Sequence, residues 1–176
     1  AGSNWPHQGL TDLGREMIAR MEELGILLDV THASSTALES IFNTAKRPFL
    51  ASHTSARALG DHPYSMPDEH LQEIVRRKGL VGVVLFPYML SNYATYESAV
   101  TRGSLADVVR TVRYLTKILG SHRSIAIGSD FSGFIAGPRD MNRLGQVDRL
   151  RAALMDEFAD AELVSDVMAR NATRFL

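Results

Sequence analysis

The chain has 176 residues, of which 45% are hydrophobic and 22% charged, the make-up of an ordinary globular segment with a core of its own. A formal net charge of −1 excludes a nucleic-acid surface and a polybasic membrane anchor, and the absence of cysteine excludes disulfides and thiolate metal sites. Any metal is therefore held by nitrogen and oxygen. No apolar run is long enough to cross a bilayer and no signal-peptide pattern shows at Ala1, so the expectation is a soluble protein of a bacterial cytoplasm or periplasm.

Leu10 to Leu24 reads as an amphipathic helix, with Thr11 as N-cap and Gly25 as its stop. Leu13, Met17, Ile18, Met21 and Leu24 form its apolar stripe. Ile26 to Val30, short and apolar after a glycine, reads as a buried strand. Ser34 or Ser35 caps a helix to about Ala45, and Pro48 to Ser52 is the next strand. Pro67-Asp68-Glu69 opens a helix to Lys78, with proline near the first turn where it is tolerated. Leu80 to Phe86 is a third strand, followed by a long loop from Pro87 to about Gly103 that carries Tyr88, Tyr93 and Tyr96. Ser104 caps a helix through Leu119, Ser124 to Gly128 makes a fourth strand, and helices follow near Leu144 to Phe158 and Ala161 to Ala169.

The order is a helix, then four βα units, then one more helix, without linker or low-complexity sequence. Parallel βα units in such a run belong to an open doubly wound sheet or to part of a (β/α) barrel. Closing a barrel takes about eight strands, and a free four-stranded parallel sheet leaves both edges bare. Residues 1–176 therefore read as one α/β segment supplying roughly the last four βα units of a (β/α)8 TIM-type barrel. A second half-barrel is the implied partner, with a homodimer as the alternative way to cover the edges.

Side chains at the C-terminal ends of such strands face the active site. His32 follows Leu-Asp-Val-Thr, His53 follows Leu-Ala-Ser, and Asp130 follows Ile-Gly-Ser. Imidazole suits zinc and its neighbours, and a carboxylate serves as ligand or general base. One strand-end histidine is usually a hydrogen-bonding residue; two on adjacent strands with an aspartate on the last favour a metal site. Asp29 has two readings, a carboxylate that orients a ligand histidine from behind or a buried one bonded to backbone N–H groups. Arg57 also has two, a clamp for a substrate carboxylate or a solvated surface residue. Gly128 to Gly133 lacks the lysine and following helix of a phosphate loop, and neither Ser52 nor Ser129 has a nucleophile-elbow setting. His7, His62, His70 and His122 read as solvated, with His62 alone near the site.

Gly9 to Glu16 (GLTDLGRE), Leu28 to Ser34 (LDVTHAS), Ala51 to Arg57 (ASHTSAR) and Ile127 to Gly133 (IGSDFSG) resemble motifs of the membrane (renal) dipeptidase family, in the same order. Met66-Pro67-Asp68-Glu69, Gly82-Val83-Val84 and Asn171 extend the likeness over essentially the whole chain. The resemblance implies a zinc metallopeptidase on a barrel with two divalent ions in the complete enzyme, acting on a dipeptide or related small amide. It assigns His32 and His53 as ligands of one metal and Asp130 as the acid/base. Two departures stand out. The His-x-Asp pair of the family's first strand occurs nowhere in this chain, and Tyr64 stands where the family often has a carboxylate-binding arginine. The implied activities are thus a metallodipeptidase, a barrel amidohydrolase with another substrate, or a non-catalytic half-barrel.

Overall fold

The structure, a computed structural model, describes residues 8–176, so His7 lies outside the described residues. Its first helix, α1 (Asp12–Glu23), starts where Thr11 accepts the Gly14 N–H. The expected stripe is only partly used: Ile18 is buried, while Leu13, Met17 and Leu24 are exposed. α2 (Ser35–Thr44) is capped by Ser34, which receives the Ala37 N–H, and buries Ala37, Leu38 and Ile41.

The sheet holds strands β1 (Leu50–Thr54), β2 (Leu80–Val83) and β3 (Ile125–Ile127), all parallel in the order β1-β2-β3. Every residue of β2 is buried, as expected for a parallel strand covered on both faces. The helices between the strands lie where the sequence put them: α3 (Asp68–Arg76) before β2 and α6 (Leu105–Leu119), held by a Ser104/Asp107 capping box, before β3.

Three expectations are corrected. Ile26 to Val30 is not a full strand: Leu28 and Val30 exchange backbone hydrogen bonds with Leu50 and only Asp29 forms a bridge. The pairing stops there because the Asp29 carboxylate takes the Thr31 N–H at 3.0 Å and His32 turns left-handed with φ 63°. The second strand sits two residues later than read, so His53 is inside β1 and not beyond its end. The stretch from Pro87 to Gly103 is not loop throughout but contains two short helices, α4 (Pro87–Leu90) and α5 (Tyr96–Arg102), which starts at a Thr95/Ser98 capping box.

After β3 come α7 (Val147–Phe158) and α8 (Ala161–Ser165), a π-helical turn (Asp166–Arg170) and α9 (Asn171–Phe175). This end of the chain is fastened to the sheet by Asn171, whose buried side-chain amide donates to the carbonyls of His122 and Ile125 at 2.8 Å each. The motif asparagine thus fixes the start of β3. Val81, Val83, Ile125, Leu71, Ile74 and Leu115 form the centre of a continuous apolar core.

Candidate active site

His53 owes its position to a break in β1. Ala51 pairs with Val81 and Thr54 with Val83, so one extra residue is accommodated between them as a bulge. A bulge interrupts side-chain alternation and re-aims what it carries. Here it brings neighbours Ser52 and His53 together, Ser52 Oγ lying 2.9 Å from His53 Nδ1. Thr31 Oγ1 lies 3.2 Å from Ser52 Oγ and accepts the His53 N–H at 3.3 Å. The bulge closes against two glycines, since a Cβ on Gly82 or Gly128 would overlap the Ser52 carbonyl.

His32 and Asp130 reach the same place from left-handed turns, with φ 63° and 55°. Non-glycine residues seldom adopt this conformation, and where they do the strain marks a site held in position by its surroundings. Asp130 is held by the Gly133 N–H donating to its carbonyl at 2.8 Å, and Gly133 leaves no room for a Cβ beside the Asp130 carboxylate.

The three side chains converge. His32 Nε2 lies 3.0 Å from His53 Nε2, and Asp130 Oδ2 lies 3.9 Å from His53 Nε2. Burial, and then the neighbouring His53, hold the His32 imidazole below the ordinary histidine pKa against the opposite pull of Asp130 and Asp29. Two imidazole nitrogens on one tetrahedral zinc, at about 2.0–2.1 Å each, stand about 3.3 Å apart, near the 3.0 Å of this pair. Among the described residues no group of three or more histidine, cysteine or acidic side chains is arranged to hold a metal.

Asp29 stands behind this pair. Its Oδ1 accepts the N–H groups of Thr31 and Ser52, each at 3.0 Å, tying the turn that carries His32 to the bulge that carries His53. Burial alone raises its pKa, but hydrogen bonds from Ser52 and Thr31 outweigh that and lower it. The carboxylate is thus bonded to backbone N–H groups on a residue that keeps access to solvent.

The site opens into a cavity of about 450 Å³. Tyr64 lines it with its ring edge-on to His32 at 4.8 Å, and His62, Phe86, Tyr88 and Tyr96 continue the wall. Arg57 does not line it: its guanidinium donates to the Ser65 carbonyl at 3.0 Å and lies in a separate, smaller cavity behind Tyr64. Tyr93 is also elsewhere, donating to Asp107 at 2.8 Å. Two histidines read as solvated are not: His70 is buried edge-on to Phe42, and His122 Nε2 lies 3.1 Å from the buried Asp166. Sequence reading missed Thr31 and Ser52 as the support of His53, because regular alternation sends adjacent strand residues to opposite faces. It also missed Phe86 and Ile135 in the cavity wall, which carried only the signal of apolar residues following strands.

Relatives of this chain are known in sequence and in fold. A dipeptidase of Aspergillus oryzae, aclJ, is 31% identical over 97% of this chain, which spans 39% of that protein. A metallopeptidase from Rhodobacter sphaeroides, solved with a phosphinate mimic of the dipeptide L-Ala-D-Ala, superposes with a TM-score of 0.85 at 25% identity, over 96% of this chain and 46% of its own. An amidohydrolase from Pseudomonas aeruginosa gives 0.86 at 26% identity, over 99% of this chain and 59% of its own. The chain thus spans about two fifths of the curated relatives it matches. Residues 2–176 match the family described as membrane dipeptidase, peptidase family M19, and the chain belongs to that family.

Proposed function

We propose that this chain is the carboxy-terminal half-barrel of a metal-dependent amide hydrolase of dipeptidase type. His32 and His53 hold one divalent ion, zinc by the preference of imidazole ligands, and a second ion completes the centre in the whole protein. The 3.0 Å approach of the two Nε2 atoms carries this reading. The donor set fits in kind, two imidazoles with a carboxylate alongside, and the remaining ligands come from outside the described residues. A cavity of about 450 Å³ suits a small peptide or amide, the class named for the Rhodobacter and Aspergillus relatives.

A divalent cation supplies Lewis-acid polarisation of an amide carbonyl and lowers the pKa of water toward neutrality. The chain's own residues do the rest. Ser52 and Thr31 hold the His53 ring so that Nε2 faces the cavity, with Nδ1 turned to Ser52 Oγ. Hydrolysis adds water across the C–N bond, so one proton must leave the water and one must reach the departing nitrogen. Asp130, poised beside His53, accepts the first and returns it to the amine.

The test is the protein translated from its complete reading frame, assayed for metal content and hydrolysis of a dipeptide series. His53→Ala is expected to lower bound metal and turnover together, by about a hundredfold or more. Wild-type metal content and turnover in that variant would overturn the assignment.

A further inference from the structure

The cavity wall beside the two histidines has a definite chemical character. Starting from Tyr64, edge-on to His32 at 4.8 Å, the rings follow one another: His62 at 5.3 Å from Tyr64, then Tyr88 at 5.3 Å from His62. Phe86, Tyr88 and Tyr96 close a triangle with centroid separations of 5.9, 5.9 and 6.0 Å. Rings packed on one another at this spacing make a continuous aromatic face. Among the described residues no lysine or arginine lines the cavity. Arg57 is turned away to the Ser65 carbonyl, and burial pushes the His62 pKa down, so that ring is neutral near pH 7.

A carboxylate laid on this wall would lose its water and receive little in return. Aromatic faces carry negative charge density, and Tyr64 offers one neutral O–H donor where a guanidinium would offer a fork of two. An aromatic or large apolar group gains there instead, by edge and face contacts with rings already ordered by one another. We propose, resting on the hydrolase reading above, that this wall selects a substrate whose end beside Tyr64 is uncharged and aromatic: a small amide with a blocked or absent carboxylate, not a free dipeptide. Water adds across its C–N bond, giving a carboxylic acid and an amine that still carries the neutral aromatic group.

Four substrates decide the matter with the complete, metal-loaded protein: L-Ala-L-Phe, L-Ala-L-Ala and the C-terminal amide of each. The expected order puts the Ala-Phe amide about tenfold or more above both Ala-Phe and the Ala-Ala amide in kcat/KM, the scale on which pockets discriminate single groups. Tyr64→Phe keeps that order. Tyr64→Arg, at a half-exposed position, reverses it by lowering KM for the free acids while metal content stays unchanged. Free acids cleaved as well as or better than the amides by the wild type would overturn the inference and leave the hydrolase intact. Failure to cleave any of the four would overturn the hydrolase reading and this inference with it.

Discussion

Asp166 shows how much a single buried charge does in this chain, and it lies far in sequence from the histidine it serves. It has no solvent exposure, its Oδ2 is 3.1 Å from His122 Nε2, and its Oδ1 is 3.1 Å from the Arg174 guanidinium. Burial by itself raises the pKa of such a group, yet the hydrogen bonds and charges of Arg174 and His122 outweigh it and hold Asp166 below 3.8. A carboxyl group whose folded value lies below its unfolded one stabilises the fold above the unfolded value, and that contribution is lost as pH falls through the folded value. Asp166→Asn is therefore expected to lower stability by about 1–3 kcal/mol near neutral pH, because a neutral amide leaves one acceptor oxygen where a charged carboxylate offered one each to His122 and Arg174. The gap between wild type and variant in urea denaturation should narrow as pH drops below 3.8. A gap independent of pH would mean the carboxylate's charge contributes nothing. His122 and His70 read as solvated in the sequence because a histidine's partner in another element leaves no local trace; Asp166 is 44 positions from His122.

At the scale of elements the sequence was most informative where the signal is local. Thr11 and Ser104 each cap the helix they were read to cap, and of the pair Ser34 and Ser35 it is Ser34 that does so, because an N-cap is a contact across two or three residues. It was least informative where pairing decides. Ile26 to Val30 has the composition of a buried strand, but Ile26 and Leu27 are exposed and the Asp29 turn ends the pairing almost as it begins. The bulge in β1 is invisible to any pattern of alternation, and it closes against Gly82 of the next strand. That close approach gives a prediction. Gly82→Ala forces a methyl group into the Ser52 carbonyl, and the backbone must shift where it carries His53. Stability should fall by about 1–3 kcal/mol, and turnover should fall further than the loss of folded protein explains. Unchanged stability and turnover would show that the bulge tolerates displacement and that Gly82 is not what sets His53.

For the whole molecule, the motifs at Leu28 to Ser34, Ala51 to Arg57 and Ile127 to Gly133 located the three converging side chains, since strand ends in a parallel sheet share one rim. The aromatic wall was legible only in part, as Tyr64 and as loop tyrosines that either line the pocket or pack on the barrel, because its rings come from separate elements: Tyr64 after β1, Phe86 and Tyr88 after β2, Tyr96 at the start of α5. What the described residues do not assemble is a full ligand set, for among them no group of three or more histidine, cysteine or acidic side chains is arranged to hold a metal. Two imidazoles give a cation few bonds, and each further ligand worth 1.4 kcal/mol tightens binding about tenfold. The 176-residue polypeptide alone is accordingly expected to bind Zn²⁺ weakly, through His32 and His53, and to cleave no dipeptide or its amide. The protein from the complete reading frame should bind about a hundredfold or more tightly, releasing protons as the imidazoles are committed to the metal. Calorimetric titration of both, with His32→Ala and His53→Ala in each, reads this directly. Equal affinity in the two would mean that these residues already form the whole site, and the half-barrel reading would have to yield to one in which this chain works by itself.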